Sequence, residues 1–189
     1  MNKKPETRNQ KPETHLRALE PDDLDFLYQL ENDPDLWAVS DAVTGPVSRH
    51  ALREYLRHGS ASLAEAGQLR LIITDETGQA VGALDLFDYS ALHQRAGVGL
   101  AVLASARRRG HAQAALAALL PYAQRTLRLH QLYCTVAADN AASRRLFRRA
   151  GFRRVGVRRE WLRGTEPAGW RDAIEMQLML SEIRSDESV

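Results

Sequence analysis

The sequence predicts one α/β domain, in which a mixed, largely antiparallel sheet of about seven strands is flanked by helices. A chain of 189 residues is long enough for one buried core and short for two. Short segments with alternating apolar residues recur along it, separated by segments in which apolar residues repeat at helical spacing. Neither an internal repeat nor a linker divides the chain, so these segments are expected to pack as one unit.

The amino-terminal part predicts one strand and two helices. Residues 14–20 alternate as a strand does, and Pro21 then starts a helix with apolar residues on one face. The segment 33–46 is expected to be a loop. A second helix is expected over 47–59, capped at its start by Ser48.

A β-hairpin and a glycine-bearing strand are expected next. The hairpin strands are 68–75 and 79–88, joined by a turn around Gly78. The fourth strand, 95–103, contains two glycines, and glycine in a strand often marks the close approach of a ligand or of another backbone.

Two further helices and three strands complete the predicted order. The helix that follows Gly110 carries apolar residues at helical spacing, and Pro121 is expected to kink it or to loosen one hydrogen bond. The remaining elements are a strand over 130–138, a helix over 140–151, and strands over 152–162 and 169–180.

Composition indicates a soluble globular protein. No apolar run reaches the roughly 18 residues of a membrane span, and no secretory signal is visible, so no membrane partner is expected. A single cysteine, Cys134, fits a reducing cytoplasm. The segments 1–13 and 181–189 have the composition of disordered tails, which leaves 14–180 as the folded domain.

Charge and histidine patterns argue against two kinds of partner. The formal net charge of +2 is too small to indicate nucleic acid by itself. The six histidines have no spacing typical of metal ligands, so no metal site is expected.

The segment 107–112, Arg-Arg-Arg-Gly-His-Ala, has the pattern of an anion site. The first turn of a helix leaves about four backbone N–H groups without partners and carries a partial positive charge. Gly110 lets the loop approach a phosphate closely, and the three arginines add neutralising charge. A plain solvated turn fits the same six residues, so the motif is weak on its own.

A second motif, Asn-x-x-Ser-x-x-Leu-Phe-x-x-x-Gly-Phe, spans 140–152. The two motifs together resemble the cofactor segments of the GNAT superfamily of acetyl-CoA-dependent N-acetyltransferases. The segment 82–96 is similar to the spermidine branch, and 169–178 is similar to that branch and to the ribosomal-protein alanine branch. The resemblance covers 14–180 and implies a GNAT-like sheet that is splayed between strands four and five.

The resemblance also implies how acetyl-CoA would bind as the acyl donor. Its pantetheine arm would lie in the splay and pair with amides around Leu100 and Val102, and Asn140 would reach it from the next helix. The pyrophosphate would meet the amides of Arg107, Arg108, Arg109, Gly110, His111 and Ala112. Arg148 or Arg149 would contact the adenosine phosphates.

The expected acid departs from the commonest pattern of the family. Phe147 stands where many members have a tyrosine acid, and a phenyl ring donates no proton. Ser143 coincides with a serine proposed as the acid in the ribosomal-protein branch, so the resemblance implies it as the acid and as a further cofactor contact, with Tyr133 and Cys134 as alternatives on strand five. A coenzyme A thiol with a pKa near that of cysteine, about 8.5, can also leave without an acid.

Several carboxylates are candidates for the general base. Gly97 replaces a glutamate that the spermidine enzymes carry on strand four. Asp85 and Asp88 lie three apart on one strand, so only one of them is expected to face the cleft. Asp85 and Glu160 are the carboxylates that the sequence predicts as catalytic.

Acidic residues around the expected acceptor site favour a cationic acceptor. An acidic mouth would contain Asp33, Asp35, Asp41, Asp85 and Asp88. The predicted substrate-binding residues are Glu31, Asp33, Trp37 and Asp85, and the first two are also alternative bases. The acceptor is then a polyamine, another small amine or a protein N-terminus. The missing strand-four glutamate weakens the first choice, whereas Ser143 favours a peptide or another amine.

The sequence therefore predicts a cytoplasmic N-acetyltransferase that acetylates a primary amine by direct attack in a ternary complex. No acyl-enzyme is expected, because Cys134 is more simply a buried, inert thiol. Two alternatives stay open: a catalytically inactive acyl-CoA sensor or scaffold of the same fold, and an arginine-rich nucleic-acid-binding module. No nucleic-acid partner is expected for the enzyme, and a homodimer through the last strand, with Trp170, is possible.

Overall fold

The computed structural model describes residues 13–37, 45–58, 62–164 and 169–182. Most of both predicted tails, and Asp41 of the predicted loop, lie outside these residues. The strands, numbered along the chain, are β1 His15–Ala18, β2 Leu69–Thr74, β3 Ala80–Ser90, β4 Arg95–Val102, β5 Gln131–Ala137, β6 Arg153–Arg163 and β7 Trp170–Met179. The helices are α1 Leu24–Glu31, α2 Pro34–Trp37, α3 Arg49–His58, α4 Leu63–Ala66, α5 His111–Pro121 and α6 Ala141–Arg149.

The strands form one sheet in the order β1-β2-β3-β4-β5-β7-β6. All neighbouring strands are antiparallel except β4 and β5, which are parallel. The predicted α/β fold with a mixed, largely antiparallel sheet is therefore confirmed. Each strand lies within its predicted segment or extends it by one or two residues, because the alternation of apolar residues marks the strands well.

Helices cover both faces of the sheet. Leu116 and Leu119 of α5 are fully buried in the main hydrophobic cluster, together with Leu84 of β3. Leu30 of α1 belongs to a smaller cluster with Ala83. Since Ala83 and Leu84 are consecutive in a strand, their side chains point to opposite faces, so α5 and α1 lie on opposite sides of the sheet.

Helix α5 ends where its proline lies. It stops at Pro121, and the chain continues as one π-helical turn over Tyr122–Thr126, in which Leu127 N donates to the Tyr122 carbonyl oxygen at 3.1 Å. Proline has no N–H to donate to the helical ladder, so the regular bonding is interrupted there. The disturbance predicted at Pro121 takes this form.

The helices of the described segments are short. Two of them, α2 and α4, have four residues each and were not predicted, because four residues are too few to show helical periodicity. A local signal exists for α4: Ser62 N donates to the Glu65 carboxylate at 2.9 Å in a capping box. Among the helices described, none is long and apolar enough to cross a membrane.

Candidate active site

The sheet opens between β4 and β5. The two strands are paired only over residues 95–97 and 131–133. Beyond this register both strands continue, β4 to Val102 and β5 to Ala137. The splay implied by the resemblance is therefore present, with its closed end at Gly97 and Tyr133 and its open end near Val102.

The backbone of β4 presents alternate peptide groups to this gap. Leu103 N donates to the Val81 carbonyl oxygen, on the β3 side, at 2.9 Å. In an antiparallel ladder, residues that bond to one neighbour alternate with residues whose N–H and C=O groups point the other way. The peptide groups of Leu100 and Val102 therefore point into the gap, which offers a strand edge to an extended ligand.

The loop after β4 leads into a helix N-terminus. Gly110, with φ +97°, is the N-cap of α5, and Ala114 N donates to its carbonyl oxygen at 3.0 Å. The N–H groups of residues 111–113 therefore have no acceptor within the helix. Arg108 also has a left-handed backbone, with φ +62°. Loops that mix left- and right-handed residues form concave sets of N–H groups, which bind anions.

Two residues of the predicted cofactor loop have side chains that bind other parts of the protein. Arg107 donates to Asp33 at 2.8 Å, to Asp35 at 3.1 Å and to a backbone carbonyl at the end of β4 at 3.0 Å. The His111 ring is buried, and its Nδ1 lies 3.0 Å from the Thr14 hydroxyl. The Arg107 N–H also donates within the chain, to the Ala104 carbonyl oxygen at 3.4 Å, so of these two residues only His111 has a backbone N–H available to an anion, while the two arginines between them are exposed.

Helix α6 begins with a side-chain cap. Asn140 is its N-cap, and its carbonyl oxygen accepts from Ser143 N at 3.0 Å. Ser143 is half-buried in the first turn, and Arg148 is exposed near the other end. Phe147 is buried with its ring centre 5.1 Å from that of Phe152, so it serves the core.

Arg70 on β2 gathers two of the predicted acidic residues. Its guanidinium donates to both oxygens of Asp85, at 2.7 and 2.9 Å, and to the carboxylate of Glu31. The Tyr55 ring of α3 lies 5.5 Å from the same guanidinium. The structure thus brings Glu31 and Asp85 together, as an ion cluster in which one arginine binds both carboxylates and offsets one of their two charges.

Asp88 lies apart from the Arg70 cluster, in a bulge of β3. The register between β3 and β4 shifts between Phe87 and Ser90, and Asp88 has φ +49°. Its carboxylate accepts a hydrogen bond from the Tyr133 hydroxyl at 3.1 Å. Regular alternation from Asp85 would turn Asp88 to the opposite face. The bulge breaks that alternation and brings its carboxylate to the tyrosine at the closed end of the gap.

The other predicted site residues lie elsewhere. Glu160 is exposed on β6, and both β7 and β5 stand between that strand and β4. Trp37 donates its indole N–H to the Glu31 carbonyl oxygen at 2.7 Å, beside the Arg70 cluster. Cys134 is buried in the main core, and burial raises its pKa to about 12. The strand order therefore separates Glu160 from the gap.

Sequence reasoning missed Arg70, although the hairpin contains a signal for it. Counting outward from a two-residue turn at 77–78 pairs Arg70 with Asp85. The structure has this pair, although Thr74 pairs with Ala80 beside the turn and a bulge between Ile73 and Thr74 then shifts the register. Opposite charges that face each other across two strands attract, so the pair could have been predicted.

These features define a class of protein: an acetyltransferase with a mixed sheet that opens between two parallel strands, next to a helix N-terminus suited to an anion. The sequence matches the model of the acetyltransferase (GNAT) domain over residues 14–153. The chain belongs to this family and is an N-acetyltransferase.

Solved structures of a Vibrio cholerae enzyme have the same fold as this chain. Its spermidine N-acetyltransferase in complex with CoA and spermine shares 22% identity and a TM-score of 0.77, covering 89% of this chain and 96% of that one. A dodecameric structure in an intermediate state shares 23% identity and a TM-score of 0.75, covering 93% and 98%. A complex with manganese ions shares 25% identity and a TM-score of 0.73, covering 89% and 93%. No protein with a curated function matches the sequence significantly.

Proposed function

We propose that the protein transfers the acetyl group of acetyl-CoA to a small primary amine, by direct attack of the amine on the thioester in a ternary complex. The observation that carries this proposal is the gap between β4 and β5. It combines a strand edge with a helix N-terminus at its open end. Acetyl-CoA supplies the activated acetyl group, and the residues of the chain bind it, orient it and handle the protons.

The length of the gap supports this donor. From Val102 to Gly97, five strand residues cover roughly 16 Å. The pantetheine arm has about twelve bonds between its phosphate and its sulfur, and it extends roughly 14 Å, because three backbone bonds span at most about 3.6 Å. With the arm's amides paired to Leu100 and Val102, the thioester would lie near Gly97.

The open end of the gap suits the pyrophosphate. The N–H groups over 108–112 and the positive end of α5 would hold it, without the Arg107 N–H that the sequence had suggested, and Gly110 permits a close approach. Because Arg107 is tied to two aspartates, the charge available beside the backbone comes from Arg108 and Arg109. Asn140 and Arg148 stay our predicted contacts to the arm and to an adenosine phosphate.

The predicted catalytic residues differ in how their contacts suit them. Ser143 stays our candidate for the proton donor to the leaving thiolate. Asp85 would have to leave Arg70 before it accepted a proton, and Glu160 lies on a strand that is separated from the gap. The contacts of these two carboxylates therefore favour a base elsewhere.

The charge on the acceptor side favours a small amine over a polyamine of high charge. Glu31 and Asp85 share the single positive charge of Arg70, and Asp33 and Asp35 share that of Arg107, so the two arginines offset two of these four negative charges. The related Vibrio cholerae enzyme is described as a spermidine N-acetyltransferase. In this chain, an amine that carries one positive charge needs fewer free carboxylates.

The cytoplasm and a homodimer stay predictions. A buried, unpaired Cys134 is compatible with a reducing compartment. Trp161 on β6 and Trp170 on β7 are 52% and 62% exposed, which makes this sheet edge a candidate contact between copies.

The proposed function is tested first by the melting temperature with acetyl-CoA, with ATP as an anionic control. Ligand at 100 times its dissociation constant adds about 2.7 kcal/mol to the free energy of unfolding. That corresponds to a shift of roughly 5–10 °C for a chain of this size. Release of thiol with a panel of primary amines then tests the reaction. An equal shift of the melting temperature with ATP would show that the loop over 107–112 binds polyanions in general and is no specific site for acetyl-CoA.

A matched pair of glycine variants locates the site. Gly110→Ala and Gly78→Ala both place a β-carbon on a left-handed residue, with φ +97° and +82°. Each is expected to lose about 1–2 kcal/mol of stability. Gly110→Ala alone should weaken acetyl-CoA binding, because Gly78 lies in the β2–β3 turn. If both variants bind acetyl-CoA with equal affinity, the binding site of acetyl-CoA lies away from this loop.

A further inference from the structure

We propose that Asp88 is the general base that takes the proton of the acceptor amine, and that Tyr133 is the positioning residue that holds its carboxylate. This inference rests on the proposed function, because it assigns a role at the acceptor end of the same gap. Its starting observation is the hydrogen bond of 3.1 Å from the Tyr133 hydroxyl to the Asp88 carboxylate.

The pair lies where the thioester is expected. Tyr133 faces Gly97 in the last residue pair before β4 and β5 separate. Its ring packs edge-on against Phe87, with 6.2 Å between ring centres, and Phe87 is the strand partner of Gly97. Asp88 follows Phe87 directly. An amine that attacks a thioester held near Gly97 therefore arrives beside this carboxylate.

The backbone of Asp88 has an unfavourable conformation that places its carboxylate beside Tyr133. A φ of +49° is uncommon outside glycine, although aspartate and asparagine tolerate it better than most residues. Asp88 also interrupts the β3–β4 register in a bulge, and bulges next to active sites re-aim side chains. The strain and the bulge occur together at the one β3 residue whose carboxylate meets Tyr133.

The partner of Asp88 is neutral, unlike the partners of the other acidic residues considered. Glu31 and Asp85 bind Arg70, and Asp33 binds Arg107. Such contacts occupy a carboxylate and stabilise its charge. Asp88 accepts from a phenol instead and is exposed, so it can bind a cationic amine and pass a proton to water.

Tyr133 serves as a hydrogen-bond donor and not as the acid. Burial and the Asp88 carboxylate raise the pKa of Tyr133 to about 12. The leaving thiol has a pKa of about 8.5, so a proton transfer from this phenol to the thiolate is uphill by a factor of thousands. Tyr133 therefore stays protonated and fixes the rotamer of Asp88.

A depression beside Tyr133 gives the amine a place to bind. It is lined by Arg95, Gln131, Val155, Glu175 and Gln177, together with Tyr133. These side chains are mostly polar and of both charges. Arg95 and Glu175 cancel within the lining, and Arg158, which pairs with Glu175, adds one positive charge beside it, so an acceptor of high positive charge is disfavoured.

The proposed reaction transfers two protons from the acceptor ammonium, one to solvent and one to the leaving sulfur. The acceptor ammonium gives one proton to the Asp88 carboxylate, directly or through a water molecule, and Asp88 passes it to solvent. The amine nitrogen then forms a bond to the thioester carbon, and the carbon–sulfur bond breaks. The second proton leaves the nitrogen and ends on the coenzyme A sulfur, so the products are the amide, the free thiol and one proton.

The test compares variants that keep the fold. Asp88→Asn preserves the shape and tolerates the left-handed backbone, and Asp88→Gly removes the side chain while relieving the strain. Both should lose about 10²–10⁴-fold in kcat, the usual contribution of a general base, with the acetyl-CoA melting shift intact. Formate should restore part of the activity of Asp88→Gly. Glu76→Gln, an exposed acid-to-amide change in the β2–β3 turn, is the control and should keep wild-type kcat.

Tyr133→Phe distinguishes positioning from structural support. It should lower kcat by about tenfold, the worth of one or two hydrogen-bond energies, without changing the KM for acetyl-CoA. In the Asp88→Asn background the same change should cost almost nothing further, because the group that it positions is gone. A structural role would instead give additive losses.

The outcomes separate the two proposals. If the wild type is active and Asp88→Asn keeps more than one third of the wild-type kcat, Asp88 is not the general base. If the losses of Tyr133→Phe and Asp88→Asn add, Tyr133 is not a positioning residue for Asp88. A wild type that binds no acetyl-CoA and releases no thiol with any amine overturns the proposed function itself, and the role of Asp88 with it.

Discussion

The two ends of the gap between β4 and β5 are built from different parts of the chain. The open end consists mainly of backbone: the peptide groups of Leu100 and Val102 and the N–H groups of residues 111–113. The closed end consists of side chains, with Asp88 and Tyr133 in contact across two strands that are not neighbours in the sheet. Donor binding should therefore tolerate side-chain changes, whereas the closed end should not.

The Arg70 cluster, which consists of Arg70, Glu31 and Asp85, resembles the closed end because side chains from different elements build it. It fastens β2, β3 and α1 together through the two carboxylates that Arg70 binds. The side chains of Arg70 and Glu31 are only 20% and 13% exposed. Removing one member leaves the others poorly hydrated, and this provides the largest expected effect on stability.

Replacing Arg70 by methionine should lower the free energy of unfolding by about 3 kcal/mol, because a carboxylate pair loses its buried cation. The measurement is urea unfolding followed by circular dichroism. Arg145→Met, at an exposed arginine of α6, should change stability by less than about 0.5 kcal/mol. Adding Glu31→Gln and Asp85→Asn to Arg70→Met should restore more than half of the loss. A loss below about 1 kcal/mol for Arg70→Met would show that the cluster is well hydrated.

A smaller loss of stability is expected from alanine substitutions at the two glycines of β4. Gly97 lies at the closed end of the gap, and Gly99 lies further toward the open end. A β-carbon on Gly97 would lie 2.3 Å from the Phe87 ring, whereas one on Gly99 would lie 3.6 Å from it. Gly97→Ala should therefore cost about 2 kcal/mol through overpacking. It should also lower kcat, because Phe87 supports Tyr133.

Gly99→Ala is the matched control, since an ordinary van der Waals contact costs nothing and alanine suits a strand better than glycine. Phe87→Leu should recover part of the stability that Gly97→Ala loses, because it removes the clashing ring. Thermal unfolding of the three variants measures these differences. Equal stability of Gly97→Ala and Gly99→Ala would mean that the closed end can expand.

The same division explains what could be predicted from the sequence. The elements of the open end follow from local patterns: the strand with Gly99, the loop over 107–112 and the motif that begins at Asn140 are each read from adjacent residues. Local bonding rules determine the geometry of strands and helix starts, whereas the splay was expected from the resemblance to the acetyltransferase superfamily.

The closed end could not be predicted in the same way. Tyr133 and Asp88 are 45 residues apart, and their contact depends on a bulge that no residue pattern announces. The Arg107 side chain was expected to add neutralising charge beside the pyrophosphate, but it binds Asp33, which lies 74 residues away in sequence. Long-range side-chain pairs depend on the assembled fold, and a regular strand model even sends Asp88 to the wrong face.

The smallest effect is expected at Cys134, which lies on β5 between the two ends and faces the core. Cys134→Ala should keep kcat within about twofold, because direct attack on the thioester needs no acyl-cysteine.

Burial raises the pKa of the Cys134 thiol to about 12, whereas in the unfolded chain it is about 8.5. The neutral thiol therefore favours the folded state fully below pH 8.5, and this contribution is lost as the pH rises toward 12. Between pH 7 and pH 9.5 the wild type should lose about 1 kcal/mol more stability than Cys134→Ala. Melting curves at both pH values measure this difference, and a kcat reduced more than a hundredfold would instead establish a covalent acetyl-cysteine step.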